Sequence, residues 1–502
     1  MAQERQENEN IRAKDALMQE RLTSETIKKI FEESTDIVSR DVLIRNREEL
    51  KVTLFYVDGM AQEKVIADNI IFPFSRSPWY ECCDSQREAY TLSLNGAIEA
   101  SSVKPAETVK EAVSLMLVGM TIIVFDKIEK ALVVNTIGLE KRGISTATEE
   151  NTFRSGKDSF VETLRSNTAT LRKKIKSPNL VIEEDSAGKQ TNSRYCIAYM
   201  YNICNDKFVS EIKKRVEAID QDRVMTIQDI YSNVVKERYV PFPTAVITEK
   251  PEVCCKSLLE GKIAVIVDEL PYALLLPAVF GDFFQGTSDY GENFIVASFF
   301  RIVRYMSFFI GLLLPGFFVA ITMFHPGMIP YDLTVKIAAS RTGVPFSMVV
   351  EILLMTFAFF VLIQASMQIS RAIGATVSIV GGLVLGQAAI TAGIVSPAVI
   401  VVVAGASICS LAIPNKEVNT AMWLFQLVCT VLSAVFGLIG LILTLLIIFF
   451  ILAKLKVLGV PYLAPYATLS PMQLDDSIIK FPESWIKNRP AYLNPKNKRR
   501  AR

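Results

Sequence analysis

The chain has 502 residues, half of them hydrophobic, and its mean hydropathy is positive. That length is a prior for about two to four domains, and soluble globular chains of this size rarely combine the other two properties. The net charge of +2 gives no overall basic character, so composition excludes nucleic acid as the obvious partner.

Charge is unevenly placed. From Tyr305 to Ala453 the only charged residues are Asp332, Lys336, Arg341, Glu351, Arg371, Lys416 and Glu417. The pattern predicts a multi-domain membrane protein, with two N-terminal α/β cytoplasmic subdomains followed by an all-α transmembrane helix bundle. Residues 1–27 form a charged arm without the apolar core of a secretory signal, so the soluble half is expected to stay in the cytoplasm.

A first subdomain is expected over 28–150. "KVTLFYVDGM" joins a β-type run to an Asp58-Gly59 turn signal. "ETVKEAVSLMLVG" has helical spacing and stops at Gly119, and "MTIIVFDKIEKALVVNTIG" reads as a hairpin. A second subdomain is expected over 151–268. There "SFVETLRSNTATLRKKIKSPNL" is a basic amphipathic helix, "RYCIAYMYNI" a strand, "DKFVSEIKKRVEAI" a helix and "KIAVIV" a strand. No long internal repeat is visible.

Residues 269–293 are expected to form an interfacial elbow and linker. Asp268, Pro271 and Pro277 make an uninterrupted span unlikely, because prolines break helices and carboxylates are costly in hydrocarbon. "PYALLLPAVFGDFF" therefore reads as lying at the membrane surface. Apolar runs follow at Tyr305–Met323, Pro345–Ile363, Ala372–Ala392, Ile394–Ile413 and Met422–Leu452, within a transmembrane domain of 294–458. Each reaches or approaches the roughly 20 residues that span a bilayer, and the last exceeds it. Residues 459–502 form a polar, basic tail. Five simple spans would put that tail on the far side, against the positive-inside preference.

No catalytic constellation emerges. Asn151 and Asp158 break the phosphate-loop pattern around Gly156-Lys157. The eight cysteines include no CxxC, and His325 is the single histidine, so neither a metal site nor a cofactor is expected. The cysteines read as reduced structural thiols.

Several stretches occur together in one order: "DVLIR", "YVDGM", "SFVETLRSNTATLRKKIKSPNL", "IAVIVDELPYALLLPAVFGDFFQGTSDY", "LLLPGFFVAITMFHPGMIP", "AASRTGVPFSMVVEILLM", "GLVLGQAAITAGIVSPAVIVVVA", "AIPN" and "GVPYLAP". From about Ser34 to Pro465 the chain thereby resembles the GerA-type spore germination family, specifically the A subunit of nutrient germinant receptors. It departs from that pattern at Asp268-Glu269-Leu270-Pro271 and at Gln364, where the family commonly shows a glutamate. The resemblance implies an integral protein of the inner spore membrane. It also implies a transporter-like B subunit and a lipoprotein C subunit as partners, and a homo-oligomer, with a pentamer as the candidate size. On that reading the assembly is a ligand-gated channel releasing monovalent cations; the alternative is a secondary transporter or permease component.

Candidate pore or gating residues follow from the membrane half. Glu351 is an intramembrane carboxylate, which is a functional candidate by default; its alternative role is to pair with Arg341 or cap a helix. Gly374, Ser378, Gly382 and Gly386 form a small-residue stripe beside Gln387, suited to close helix contact or to a pore face. His325 is read as an interfacial side chain at a helix end; the alternative is a pH-sensitive group at the mouth of a pore.

Overall fold

The computed structural model describes residues 14, 16–138, 158–235, 240–368, 371–468, 476–482 and 484–500. The expected boundary near residue 150, and the Gly156-Lys157 loop, lie outside them. The chain forms two compact units. One comprises Met1–Arg238, Ala245–Ala278 and Glu483–Arg502; the other comprises Tyr239–Thr244 and Val279–Pro482.

The first unit holds two five-stranded antiparallel sheets. One contains β1 (Ile37–Leu43), β2 (Lys51–Val57), β3 (Val103–Ala106), β4 (Thr121–Phe125) and β5 (Lys130–Val134), in the order β1-β2-β4-β5-β3. The other contains β6 (Leu180–Ala187), β7 (Ser193–Met200), β8 (Val246–Thr248), β9 (Ile263–Val267) and β10 (Ala273–Leu276), in the order β6-β7-β9-β10-β8. The two orders are the same. Helices also fall at equivalent places: α1 (Ser24–Ile30) precedes β1, α2 (Val109–Met116) follows β3, α3 (Leu164–Lys174) precedes β6, α4 (Asp206–Glu217) and α5 (Ile227–Val234) precede β8, and α6 (Pro251–Glu260) follows β8. Short helical turns from Glu63 to Ala97 fill the place of α4 and α5 in the first copy. The soluble unit is therefore a duplicated fold, although no repeat shows in the residues.

Both faces of the first sheet are covered. Leu54, Tyr56, Ile123, Phe125, Leu132 and Val134 point to one apolar cluster, while Phe55, Val57, Ile122, Val124, Ala131 and Val133 point to the other. That is the period-two division of a strand whose two faces are both buried, which explains the continuous apolar runs. Helix ends follow their residues. Thr108 caps α2 through the Glu111 N–H at 3.2 Å, and α6 starts on Pro251 and stops at Gly261, in the left-handed region.

The expected elbow is corrected here. Ala273–Leu276 is strand β10, paired antiparallel with β9 on one side and β8 on the other. All four residues are buried. Asp268 and Pro271 lie in the turn leading into this strand, and Pro277 follows it. An apolar run between prolines fits a fully buried strand as well as it fits a membrane surface. The first unit therefore continues to Ala278.

The second unit is helical: α7 (Phe294–Phe324), α8 (Tyr331–Ser340), α9 (Met348–Gln368), α10 (Arg371–Thr391), α11 (Pro397–Leu411), α12 (Lys416–Phe436) and α13 (Leu438–Lys454). Among the described residues three helices, Phe294–Phe324, Met348–Ser366 and Lys416–Phe436, are long and apolar enough to cross a membrane; shorter apolar helices are Gly381–Thr391, Pro397–Leu411 and Leu438–Lys454. The long run Met422–Leu452 is not one span. It breaks at Gly437, whose φ of 61° and ψ of −138° suit glycine alone, and α13 folds back there.

The end of α7 meets this break, since a Cβ on Gly437 would lie 3.1 Å from Phe324. At the same end, the Thr322 hydroxyl contacts the Met348 sulfur at 2.8 Å, at the start of α9. Glu351, one turn further on, bonds to Ser396 at the start of α11. We call this the distal face. The opposite, proximal face gathers Val279–Tyr290, the start of α7 and the segment after α13. The apolar helices alternate in direction, so the chain enters and leaves this unit at the proximal face.

Candidate functional site

Three polar or aromatic clusters stand out. The first joins the two α/β subdomains. Arg172 and Asp36 are both fully buried. Arg172 donates from Nε to Asp36 Oδ2 at 2.7 Å and from Nη2 to Asp36 Oδ1 at 2.9 Å, and its Nη1 donates to the Leu180 carbonyl at 2.7 Å. Such a fork satisfies a guanidinium without water. Beside it, Arg165 pairs with Asp58 at 2.8 Å and with Glu184. Burial pushes the Glu184 carboxyl up, and Arg165 opposes that shift. Gly59, at φ +77°, brings its turn against α3; a Cβ there would sit 3.0 Å from the Arg165 carbonyl oxygen. The Asp58-Gly59 turn and the basic helix, far apart in sequence, thus meet. Sequence reasoning missed Arg172, although its spacing from Leu164 and Thr168 puts it on the buried face of α3.

The second cluster closes the proximal face of the helical unit. Arg301 is fully buried and donates to Asp289 at 3.1 Å and to Asp476 Oδ1 at 2.8 Å. Arg304 reaches the same Asp289 oxygen at 2.7 Å, and Lys480 Nζ donates to the Asp289 carbonyl at 2.8 Å. Next to these charges lies an aromatic group. Phe284 stacks on Tyr305 at 4.3 Å, and Phe280 approaches Phe308 at 5.8 Å and Tyr462 at 6.1 Å. The Tyr305 and Tyr466 hydroxyls are 2.5 Å apart.

The third cluster lies at the distal face. Glu351 is fully buried. Its Oε1 accepts from Arg341 Nε at 3.2 Å, and its Oε2 accepts from the Ser396 backbone N–H at 2.9 Å. Ser396 is the N-cap of α11 and makes no side-chain capping bond itself, so Glu351 places a carboxylate where the helix dipole favours it. Ser396 lies 45 residues from Glu351, and nothing local in the sequence connects them.

The other expected site residues separate. Gly382 faces Leu362 and Phe359 of α9, and Gly386 faces Ile400 of α11. Both contacts lie within one chain. Gln387 is exposed. Gly374 and Ser378 belong to α10, but their surroundings lie outside the described residues. His325 is exposed at the end of α7, with its backbone N–H on the Ile321 carbonyl at 3.1 Å. Of the elbow residues, Asp268 caps α3 instead. Its Oδ1 accepts from the Leu164 N–H at 2.9 Å, and its Oδ2 pairs with Arg194 at 3.0 Å.

The C-terminal segment packs on the first unit. The Lys496 N–H donates to the Ile203 carbonyl at 2.9 Å, its Nζ meets Asp206 at 2.5 Å, and Arg489 donates to the Leu259 carbonyl at 2.9 Å.

A family model described as "Bacillus/Clostridium GerA spore germination protein" matches residues 25–492. The chain is 35% identical to spore germination protein KA of Bacillus subtilis, over 94% of this chain and 86% of that relative. It is 30% identical to spore germination protein B1 of the same organism, over 95% of this chain and 98% of the relative. A crystal structure of the N-terminal domain of the A subunit of the Bacillus megaterium spore germinant receptor GerK3 aligns at 28% identity. That alignment covers 52% of this chain and 97% of the other, with a TM-score of 0.42.

Proposed function

This chain belongs to the GerA family of spore germination proteins, and we propose that it is the A subunit of a nutrient germinant receptor whose helical unit forms, with further copies, a ligand-gated path for monovalent cations. Its partners in this reading are a transporter-like B subunit and a lipoprotein C subunit, in the inner spore membrane with the soluble unit on the cytoplasmic side.

One observation supports an assembly above all. The most apolar window of Met348–Ser366 is only 28% buried within one chain. Phe357, Leu383, Val401 and Phe450 are each at least 65% exposed. Surfaces of that kind face lipid tails or a neighbouring helix. A single copy with six apolar helices packed on one another leaves little room for a water-filled path, whereas several copies can surround one.

The test is cation efflux. Full-length protein, alone and with its B and C partners, is reconstituted in potassium-loaded liposomes and exposed to a panel of amino acids, sugars and nucleosides. Nutrient-dependent potassium release that increases with protein density is expected. Absence of cation flux from every combination, with protein correctly inserted, would refute the channel reading.

A further inference from the structure

Residues 484–502 carry seven lysines and arginines and no aspartate or glutamate. A terminus of that composition is ordinarily solvated and frayed. This one is folded onto the first unit, to which it belongs. Asn488 bridges Arg499 in antiparallel register, the Arg489 N–H donates to the Lys498 carbonyl at 2.8 Å, and the Arg500 N–H donates to the Lys487 carbonyl at 2.9 Å. These bonds close a short hairpin. In its loop Leu493 is fully buried, and Pro495 is buried beside Gly261, where a Cβ would lie 3.7 Å from it.

The register decides which side chains share a face. Lys487 stands opposite Arg500, and Arg489 opposite Lys498. Side chains alternate along a strand, so all four lie on one face. That face meets the end of α6. Arg489 Nε donates to the Leu259 carbonyl at 2.9 Å, and Arg500 Nη2 lies 3.5 Å from Glu260 Oε1. Lys256, one turn back on α6, shares that carboxylate at 3.6 Å. Five cations therefore gather where the hairpin meets α6, and the carboxylate that two of them share is Glu260. Like charges directly opposite one another weaken a strand pair, and this hairpin has two such pairs in a row. The effect reaches Arg489, where burial and the neighbouring Arg500 pull the guanidinium below its usual range. The C-terminal end of α6 favours a cation, and Arg489 supplies it. It does not require a second cation opposite each of the two arginines. Lys487 and Lys498 are exposed, so the face is open to solvent.

We propose that this face, formed by Lys487, Arg489, Lys498 and Arg500 beside the end of α6, is a binding site for a phosphate group. An anion between the two cross-strand pairs replaces their repulsion by attraction. Guanidinium groups suit it because their N–H donors match phosphate oxygens in pairs, and the two exposed lysines add point charges. The hairpin is already held at the Leu259 carbonyl and at the Ile203 carbonyl, to which the Lys496 N–H donates at 2.9 Å. The cations are thus brought together before a ligand arrives, which lowers the cost of binding. Two sources carry this chemistry: a soluble phosphate compound and the headgroup of an anionic phospholipid. The site lies wholly within the first unit and is independent of the channel reading.

Hydrogen exchange over residues 487–500 of the full-length protein tests the site. One arm adds pyrophosphate to protein in phosphatidylcholine nanodiscs; the other uses nanodiscs that contain phosphatidylglycerol. A ligand of the folded hairpin at about ten times its Kd should slow exchange about tenfold at the Arg489 and Arg500 N–H groups. Slowing in either arm supports the site, and the arm in which it occurs names the source. The double variant Lys487→Gln with Lys498→Gln should abolish the slowing. Without ligand the same variant should exchange more slowly than wild type, because one member of each repelling pair is gone. Faster exchange would show that the lysines hold the hairpin together, and would overturn the proposal. Equal protection by potassium chloride at matched ionic strength would reduce the effect to screening and overturn it as well. So would unchanged exchange in both arms.

Discussion

Replacing Asp36 by alanine should be among the most damaging single changes in the soluble unit. The substitution removes two short charged hydrogen bonds, at 2.7 and 2.9 Å, from a guanidinium with no solvent exposure. Arg172 would keep the Leu180 carbonyl at 2.7 Å and longer contacts to the Ser177 carbonyl and the Ser34 hydroxyl, each at 3.4 Å, with the charge of Asp36 gone. Removing one partner of a buried pair costs about 3–5 kcal/mol. Domains are stable by only about 5–15 kcal/mol, so a large share of the margin would go. In a unit of this size the melting temperature should fall by about 6–20 °C. The double change Asp36→Leu with Arg172→Met replaces the pair by apolar groups and should recover most of the loss, because desolvation of the pair is removed along with its attraction. Urea and thermal unfolding of the purified protein, followed by circular dichroism, measure both. If Asp36→Ala stays within about 1 kcal/mol of wild type, water must reach Arg172 and the subdomain junction is not the dry contact described here.

Three more outcomes follow. A fragment ending at residue 268 lacks β10, whose Leu274, Leu275 and Leu276 are buried; at about 1.5–3 kcal/mol per leucine it should fail to melt cooperatively, while one ending at 278 should melt as a folded domain. Glu351→Ala should lower thermal stability in detergent more than Glu351→Gln, since glutamine can still accept from the Ser396 N–H; a fall in cation selectivity of Glu351→Gln at low salt would instead place this carboxylate on the ion path. In a background with Cys82→Ser, cysteines at Gly459 and Asn497 should react with an impermeant maleimide from one side of the membrane and a cysteine at Gly327 from the other; labelling of Gly327 and Asn497 from the same side would overturn an even number of crossings.

Elements with local signals were legible. The β4–β5 hairpin needs only two β-rich runs and a polar turn, and it pairs as expected, with Thr121 opposite Val134. Helix α4 carries its apolar residues Phe208, Val209, Ile212 and Val216 at helical spacing. What failed to show was non-local. The residues of β10 are as apolar as a membrane segment, and only its pairing with β8 and β9 marks it as sheet. Gly437 is one glycine among several in the membrane half, and only its backbone angles show that it divides the final run. Glu351 could be singled out as a buried carboxylate and Arg341 as a partner, since they lie ten residues apart. Its second partner, a backbone N–H, carries no residue signature at all. The duplication is hidden for a related reason: strand order is a property of pairing, and two sequences can share it without sharing side chains.

The duplication also shows where the two copies have diverged. In the first sheet β3 and β5 are edge neighbours, with Val103 opposite Val134, just as β8 and β10 are in the second. The corresponding end of that pair is flanked by "EASS" before β3 and "NTIG" after β5. Apart from Ile137 these are small or polar residues, and none is aromatic. In the second copy the same end is flanked by "PFPTA" before β8 and "PAVFGDFF" after β10. The strand pairs are equivalent, so sheet stability does not require the aromatic residues; the first copy forms its sheet without them. Their place at one end of one copy is accounted for by what they touch, Phe308 in the middle of α7 and Phe425 in the middle of α12. The two copies of the αβ unit thus differ at this end by a few aromatic side chains, and the rings that flank the second copy's strand ends, Phe242 and Phe280, pack on Phe425 and Phe308.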